Sequence, residues 1–484
     1  MTVQKDGMAI RTDVPEVEEG QRAMMEFLLI NHPLDCPICD QAGECGLQDY
    51  SFKHGQAFSR FEFDEKRIYP GRERIPLGPD VLLNMNRCIQ CTRCVRFTQE
   101  VSKTGALGFF NRGARTEIGT FPGRELDDPL SGNVVDICPV GALTSTRFRF
   151  AERVWYLDKK PSICTGCDVG CNVTLEHRRG AIRRYKPRAN PAVNDFWMCN
   201  YGRSTHEAYR DLPRLTGPRV RKDPNSEQAA PAGWKQALDA VHAALTSRSI
   251  AGAVAFLAGP GLTTEEAYLL ALLADRVGSP HRAVHVDGGP ERTLPRPDGA
   301  ITGSEAGPNR RGAELAGLAT PEGGMSAADL LEGDGAARCA VLVVADSHFG
   351  AGAYEPETVA SLRKAKRLVV LGWADSRLAQ AADVALPIAT HAETSGTFVN
   401  VERRLQRFDR AFPPPGLVRP GVEVLGGLLE RFDRSWSDET TPAEVFDRMA
   451  AELSALSGLA FDDLPATGTP LAAPAEASEP AVVE

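Results

Sequence analysis

Apolar and polar positions alternate in two textures along the chain. From Glu16 to Ile30 apolar residues recur at helical spacing. Thr12, Asp13 and Pro15 supply the start signal, and Glu16 and Glu18 sit where a helix N-terminus favours negative charge. The helix is expected to stop at Asn31-His32-Pro33, because a proline disfavours helix at the residue before it. Loops and short helices are expected from there to about Phe150. From Ala230 to about Asp463 strand-like apolar runs alternate with amphipathic helices. Strands are predicted at Ala253–Ala258, Cys339–Asp346 and Arg367–Trp373, with helices at Thr264–Val277 and Glu355–Ala365. Such alternation predicts an α/β region with a parallel sheet covered by helices. The Gly-, Pro- and charge-rich stretch from Arg282 to Met325 reads as loop. The Ala-, Pro-, Thr- and Glu-rich stretch 465–484 reads as a disordered tail.

Length and composition narrow this picture. A chain of 484 residues has room for several domains, and 42% hydrophobic with 25% charged residues is ordinary for a globular protein. The expected division is an irregular α+β part over residues 1–150, a second cysteine-bearing unit over 151–215 and the α/β region over 216–464. A formal net charge of −9 argues against a general nucleic-acid partner. No apolar run reaches the roughly 18 residues of a membrane span, so no direct membrane insertion is expected. Met1 to Ile10 carries no apolar signal-peptide core, which suggests a cytoplasm-facing protein.

Cysteine placement changes the picture most. Eleven of the 12 cysteines fall between Cys36 and Cys199, and only Cys339 lies beyond. A disulfide framework is a poor reading for a long chain without an export signal. The first group is His32, Cys36, Cys39 and Cys45, in NHPLDCPICDQAGECGLQD. The second is Cys88, Cys91 and Cys94 in NRCIQCTRCVRF, with Cys138 in DICPVGAL. The third is Cys164, Cys167 and Cys171 in SICTGCDVGCNV, with Cys199 in WMCNYGR. A 4Fe–4S cube takes one ligand per iron, so a close triple plus one remote cysteine suits it. In the second group Thr98 stands where a nearby fourth cysteine would fall, and Cys138-Pro139 supplies the fourth ligand instead. In the first group C-x2-C-x5-C leaves one iron short without a histidine, although His32 also reads as a turn residue beside Pro33. Structural zinc uses the same residue types, but usually as two separated pairs. Cys339, within CAVLVVAD, reads as an inert core residue.

Other features tempt less. The basic run from His177 to Arg188 reads as a solvated face or a charge balance to an anionic cluster. Arg87, Arg93 and Arg96 flank cluster cysteines and either stabilise reduced cubes or lie on the surface. Asp383, His391 and Glu393 lack a nucleophile beside them and read as loop residues. The turn Ala258–Thr263, AGPGLT, could cradle a phosphate at a helix start, but an ordinary strand–helix connection is favoured. No catalytic residue is assigned.

The strings EFLLINHPLDCPICDQAGECGLQD, NMNRCIQCTRCVRF and DICPVGALT closely resemble the large iron–sulfur subunit of bacterial respiratory complex I, the G subunit of NADH:quinone oxidoreductase. The resemblance assigns one 4Fe–4S cluster to His32, Cys36, Cys39 and Cys45, and a second to Cys88, Cys91, Cys94 and Cys138. The family's extra cluster, off the main electron path, maps onto Cys164, Cys167, Cys171 and Cys199. The back half, including AADVALPIATHAETSGTFVNVERRLQRF, resembles the molybdopterin oxidoreductase superfamily. Two departures stand out. The family begins with a ferredoxin domain holding a 2Fe–2S cluster, whose last strands alone are matched by TVQKDGMAIRTD, so that cluster is not supported here. The α/β region is short, and Tyr201 stands where a molybdoenzyme places the Lys or Arg that leads to the pterin, so no molybdenum is expected. The resemblance implies electron transfer from a flavin- and NADH-binding partner toward quinone, among other peripheral-arm subunits on the cytoplasmic side of the inner (plasma) membrane, with no complete active site on this chain alone. The alternatives are a diaphorase-type subunit of an NAD-linked hydrogenase or formate dehydrogenase, and a zinc-stapled scaffold.

Overall fold

The computed structural model describes residues 5–222, 226, 229–247, 252–346 and 355–472. The chain divides into two compact units, Met1–Leu157 and Asp158–Glu484. The first unit runs past residue 150, because the turn Val154–Tyr156 folds back on it. Trp155 packs against Gly43, which holds a left-handed φ of 87° and has no room for a side chain. Residues 158–215 and 216–464 both fall in the second unit.

In the first unit the helix Pro15–Leu29 forms as expected, with Pro at its start and Glu16 and Glu18 in its first turn. Its N-cap is Val14, so neither Thr12 nor Asp13 caps it. At its far end the Lys66 ammonium donates to the Ile30 carbonyl at 2.7 Å, answering the helix's unsatisfied C-terminal oxygens. The strand Val81–Leu83 pairs antiparallel with both Ile75–Pro76 and Leu143–Ser145. Leu83, Met85, Leu107, Leu126 and Leu143 are fully buried around it. Each such side chain contributes about 1.5–3 kcal/mol relative to exposure. The rest is the short hairpin of Gly108–Phe110 with Glu117–Gly119, turns and short helices.

The second unit opens with an antiparallel sheet of Asp158–Ile163, Asn172–Arg178 and Ala181–Pro187. Its centre is a seven-stranded sheet. Val384–Pro387, Leu368–Gly372, Cys339–Asp346, Ala253–Ala258 and His281–Val284 lie side by side and parallel. The short strands Arg219–Val220 and Ala230–Pro231 extend one edge antiparallel. The expected strands and the expected parallel sheet are therefore present. The helix Thr264–Arg276 is buried along nearly its whole length, as a helix apolar on most faces should be. Cys339 is fully buried in its strand.

Two expectations need correction. The stretch from Arg282 to Met325 is not a loop: it carries the end of a sheet strand, the hairpin of Gly288–Arg296 with Gly299–Glu305, and two helical turns at Arg310–Ala313 and Glu314–Leu318. The hairpin strands are largely polar, which hid them from a reading based on apolar alternation. Residues 465–472 also belong to the fold, since Thr469–Pro470 pairs with Arg404–Leu405 and Leu471 is buried. The remainder of the expected tail, 473–484, lies outside the described residues.

The turn after Ala253–Ala258 serves the fold. Thr263 and Glu266 form a reciprocal capping box on the helix it opens. The Glu265 carboxyl accepts from Thr397 N–H at 3.0 Å and from Thr397 Oγ1 at 2.8 Å. Burial pushes both Glu265 and Glu266 up to about 7. The folded unit therefore holds protons that the unfolded chain has released above about pH 4.5. This stabilisation is complete below that pH and is lost as pH rises through 7. In denaturant titrations of the full chain, Glu265→Gln should gain on wild type between pH 5 and pH 8 by on the order of 3 kcal/mol at most. A difference between the two proteins that does not change with pH would refute the assignment.

Candidate iron–sulfur sites

The second cysteine group lies entirely in the first unit. Cys88 follows the turn Met85–Arg87, and Cys94 sits in the first turn of the short helix Arg93–Arg96. Between them Gln90 and Thr92 hold left-handed φ angles of 56° and 70°. Such angles are strained for residues other than glycine and mark a loop bent around something. The bend turns Gln90 N–H toward Cys88 Sγ at 3.4 Å, and Gln90 Nε2 ties the loop to Thr116 O at 2.6 Å. Cys138 closes the helix Asn133–Ile137. All four cysteines line one small cavity, together with Ile118, Val140, Ala142 and Leu143. Burial and then the neighbouring thiols push Cys88 up to about 11 and Cys94 up to about 12, and burial raises Cys138 as well. Thiolates held this close together would need compensating positive charge, which a bound metal would supply. Thr98, fully buried, donates to Val95 O at 2.9 Å and is a framework residue.

The first group spans a tight turn and a helix start. Cys36 opens the turn Cys36–Ile38, Cys39 is buried behind it, and Cys45 caps the helix Gly46–His54. Arg153 pins the turn by donating to Cys39 O and Pro37 O, both at 2.6 Å. Burial raises the Cys45 thiol, and Cys39 and Cys36 raise it further, so these three act on one another. His32 is reached through Arg87: that buried guanidinium pairs with Asp35 at 2.9 Å and also acts on the imidazole. Burial first, then Arg87, lowers the His32 pKa to about 4, which leaves the ring neutral near pH 7 as a metal ligand must be. Of the flanking arginines Arg87 is thus structural, while Arg96 is exposed and paired with Glu100 at 3.0 Å.

One segment joins the two groups. Pro139 O, next to Cys138, accepts from Gly46 N at 3.0 Å and lies 3.6 Å from Cys45 Sγ. Gly141 packs directly on Cys39, so that any side chain there would overlap its sulfur. The run Cys138–Gly141 therefore serves the second group at one end and the first at the other. Only the Cys-Pro pair was legible in the sequence as a ligand signal.

The third group lies in the second unit, and its four cysteines are each no more than 6% exposed. Cys164 N–H donates to Cys171 O at 2.8 Å, closing the loop on itself. Gly166 N–H points at Cys164 Sγ and Gly202 N–H at Cys199 Sγ, each at 3.4 Å. A side chain at Gly202 would crowd Cys164 Sγ, which explains that glycine. Burial, then its cysteine neighbours, raises Cys167 to about 12 and Cys164 and Cys171 also. From the basic run beside it, Arg184 pairs with buried Glu176 at 2.7 Å. Among the described residues no group of three or more His, Cys, Asp or Glu side chains is already drawn together as a metal-ion site.

The other candidates have structural work. Asp383 binds Arg221 and Arg363, each at 3.0 Å, His391 meets Tyr185 Oη at 3.0 Å, and Glu393 binds Arg214 at 2.7 Å.

Family models match four stretches of the chain, two of NADH-quinone oxidoreductase type and two of molybdopterin-oxidoreductase type. Residues 21–60 match the NADH-ubiquinone oxidoreductase-G iron-sulfur binding region and 78–144 the ferredoxin-like domain of NADH-quinone oxidoreductase subunit 3. Residues 157–210 match the molybdopterin oxidoreductase Fe4S4 domain and 340–431 molybdopterin oxidoreductase itself. The NADH-quinone oxidoreductase G subunit of Streptomyces coelicolor is 42% identical over 54% of this chain and 31% of its own length. The mitochondrial NADH-ubiquinone oxidoreductase 78 kDa subunit of Neurospora crassa is 41% identical over 58% of this chain and 37% of its own length. Subunit 3 of the Thermus thermophilus enzyme is 38% identical over 58% and 36%. A solved NAD+-reducing [NiFe]-hydrogenase chain is 30% identical over 29% of this chain and 60% of its own, at a TM-score of 0.26. The chain is thus homologous to the large iron–sulfur subunits of NADH-quinone oxidoreductases, and the match spans under two fifths of the length of these three relatives.

Proposed function

We propose that this chain carries single electrons within an NADH-quinone oxidoreductase, from a flavin-bearing partner toward quinone. The observation that carries the reading is the ring of Cys88, Cys91, Cys94 and Cys138 around one cavity, on a loop bent to aim an N–H group at sulfur. Three 4Fe–4S clusters are assigned, to His32/Cys36/Cys39/Cys45, to Cys88/Cys91/Cys94/Cys138 and to Cys164/Cys167/Cys171/Cys199. A bound cube supplies reversible one-electron chemistry, at a potential set by charge, hydrogen bonds to sulfur and burial.

The chain's own residues do the rest. The cysteines hold and space the sites. Ile118, Val140 and Leu143 give the second an apolar wall. The N–H groups of Gln90, Gly166 and Gly202 favour the more negative, reduced state by pointing at sulfur. No helix among the described residues is long and apolar enough to cross a membrane, so association at the cytoplasmic face of the inner (plasma) membrane would run through partner subunits. Tyr201 in place of a cationic relay, and the self-satisfied Glu265 and Glu266 at the helix start, support a chain without molybdenum.

The reading is tested by electron paramagnetic resonance on anaerobic protein reduced with dithionite. It expects signals of reduced cubes, and a spectrum silent after reduction would defeat it. The third site is assigned off the main path. Cys171→Ala should lower the yield of folded protein while assembled complex keeps most of its NADH-driven quinone reduction. A loss as complete as that of Cys91→Ala would place the third site on the path.

A further inference from the structure

We infer that Arg292, reaching in from the polar hairpin onto the Tyr201 ring, is a cation that raises the redox potential of the third cysteine site. The inference rests on the proposed assignment of a cube to Cys164, Cys167, Cys171 and Cys199.

The hairpin Gly288–Arg296/Gly299–Glu305 is built against the cysteine loop. Asp168 N donates to Glu305 O at 3.3 Å, and Glu305 N returns a bond to Asp168 Oδ1 at 3.3 Å. Gly303 packs so closely on Asp168 and Val169 that a side chain there would collide with both. This docking carries Arg292 to the site. Its guanidinium stands 4.0 Å from the centre of the Tyr201 ring, two residues past Cys199. Gly289 leaves the space it occupies, since a Cβ there would stand 3.1 Å from Arg292 Nη1.

Arg292 Nη1 is buried and has no hydrogen-bond partner. A buried guanidinium N–H without an acceptor is costly unless an anion faces it. The neighbouring arginines are committed: Arg296 to Glu402 at 2.7 Å, and Arg310, just beyond the hairpin, to Glu305 and Glu314. Tyr201 in turn packs on the cysteine loop, where a Cβ on Gly166 would stand 3.2 Å from its ring. A cube with four thiolates carries a net charge of about −2 oxidised and about −3 after taking up one electron. A nearby fixed cation stabilises the second state more than the first, so Arg292 should raise the potential.

The experiment is a redox titration of the anaerobic full chain, with dithionite and ferricyanide in the presence of mediators. Each site is followed by its paramagnetic signal, and iron and sulfide are assayed on the same samples. Arg292→Met should shift the third site's midpoint downward and leave the other two unmoved, while Arg292→Lys should stay near wild type. Arg292→Gln serves as a second charge-removing variant if the Met protein does not retain the cube. A third-site midpoint that is unchanged in a charge-removing variant still holding full iron would overturn the inference. An equal downward shift with Lys would do the same, since charge would then not be the cause. Wild-type protein with iron for only two cubes would instead overturn the cluster assignment on which it stands.

Discussion

Cys91→Ala is expected to abolish electron flow through the chain. Cys91 is the most exposed of the four cysteines around the second cavity, and it lies between the two left-handed residues Gln90 and Thr92. Removing it deletes a ligand without deleting core volume, so the fold should persist while the site fails. Iron and acid-labile sulfide should each fall by about four per chain. NADH-driven quinone reduction in assembled complex should fall to background, because a missing step in a series of one-electron transfers is not bypassed. Full turnover in assembled complex lacking that iron would remove the second site from the path.

Gly141→Val is expected to cost both clusters of the first unit, although Gly141 is no ligand. The added side chain would overlap Cys39 Sγ and press on Gln41 and Arg87. The overlap drives Cys39 out of the first site and shifts the Cys138–Gly141 run, which takes Cys138 from the second. Iron should fall by about eight per chain, twice the loss from Cys91→Ala. The control is Ala142→Gly at the next position, which should leave the iron content unchanged, since it adds no atoms to the cavity wall. Full iron content in Gly141→Val would show that the segment is not shared as tightly as its packing indicates.

How much was legible in the sequence follows from what each element depends on. Apolar runs at Ala253–Ala258, Cys339–Asp346 and Leu368–Gly372 announced the parallel sheet, because those strands are buried on both faces and can be little else. The cysteine triples announced their sites because spacing along a loop constrains ligand geometry. The polar hairpin at Gly288–Glu305 escaped, since its pairing is held by backbone bonds and docking on Asp168 rather than by an apolar face. Arg292 escaped with it: it lies far from Tyr201 along the chain, and folding alone brings the two together. Gly141 gave no signal, because a close approach between two loops leaves no local mark.

Whether the cysteine groups hold iron–sulfur cubes is decided most directly by assaying iron, zinc, molybdenum and acid-labile sulfide on anaerobically purified chain. Iron and sulfide are expected near about twelve each, with no molybdenum. Zinc near about three with little sulfide would contradict the cube assignment, and would make the chain a stapled scaffold.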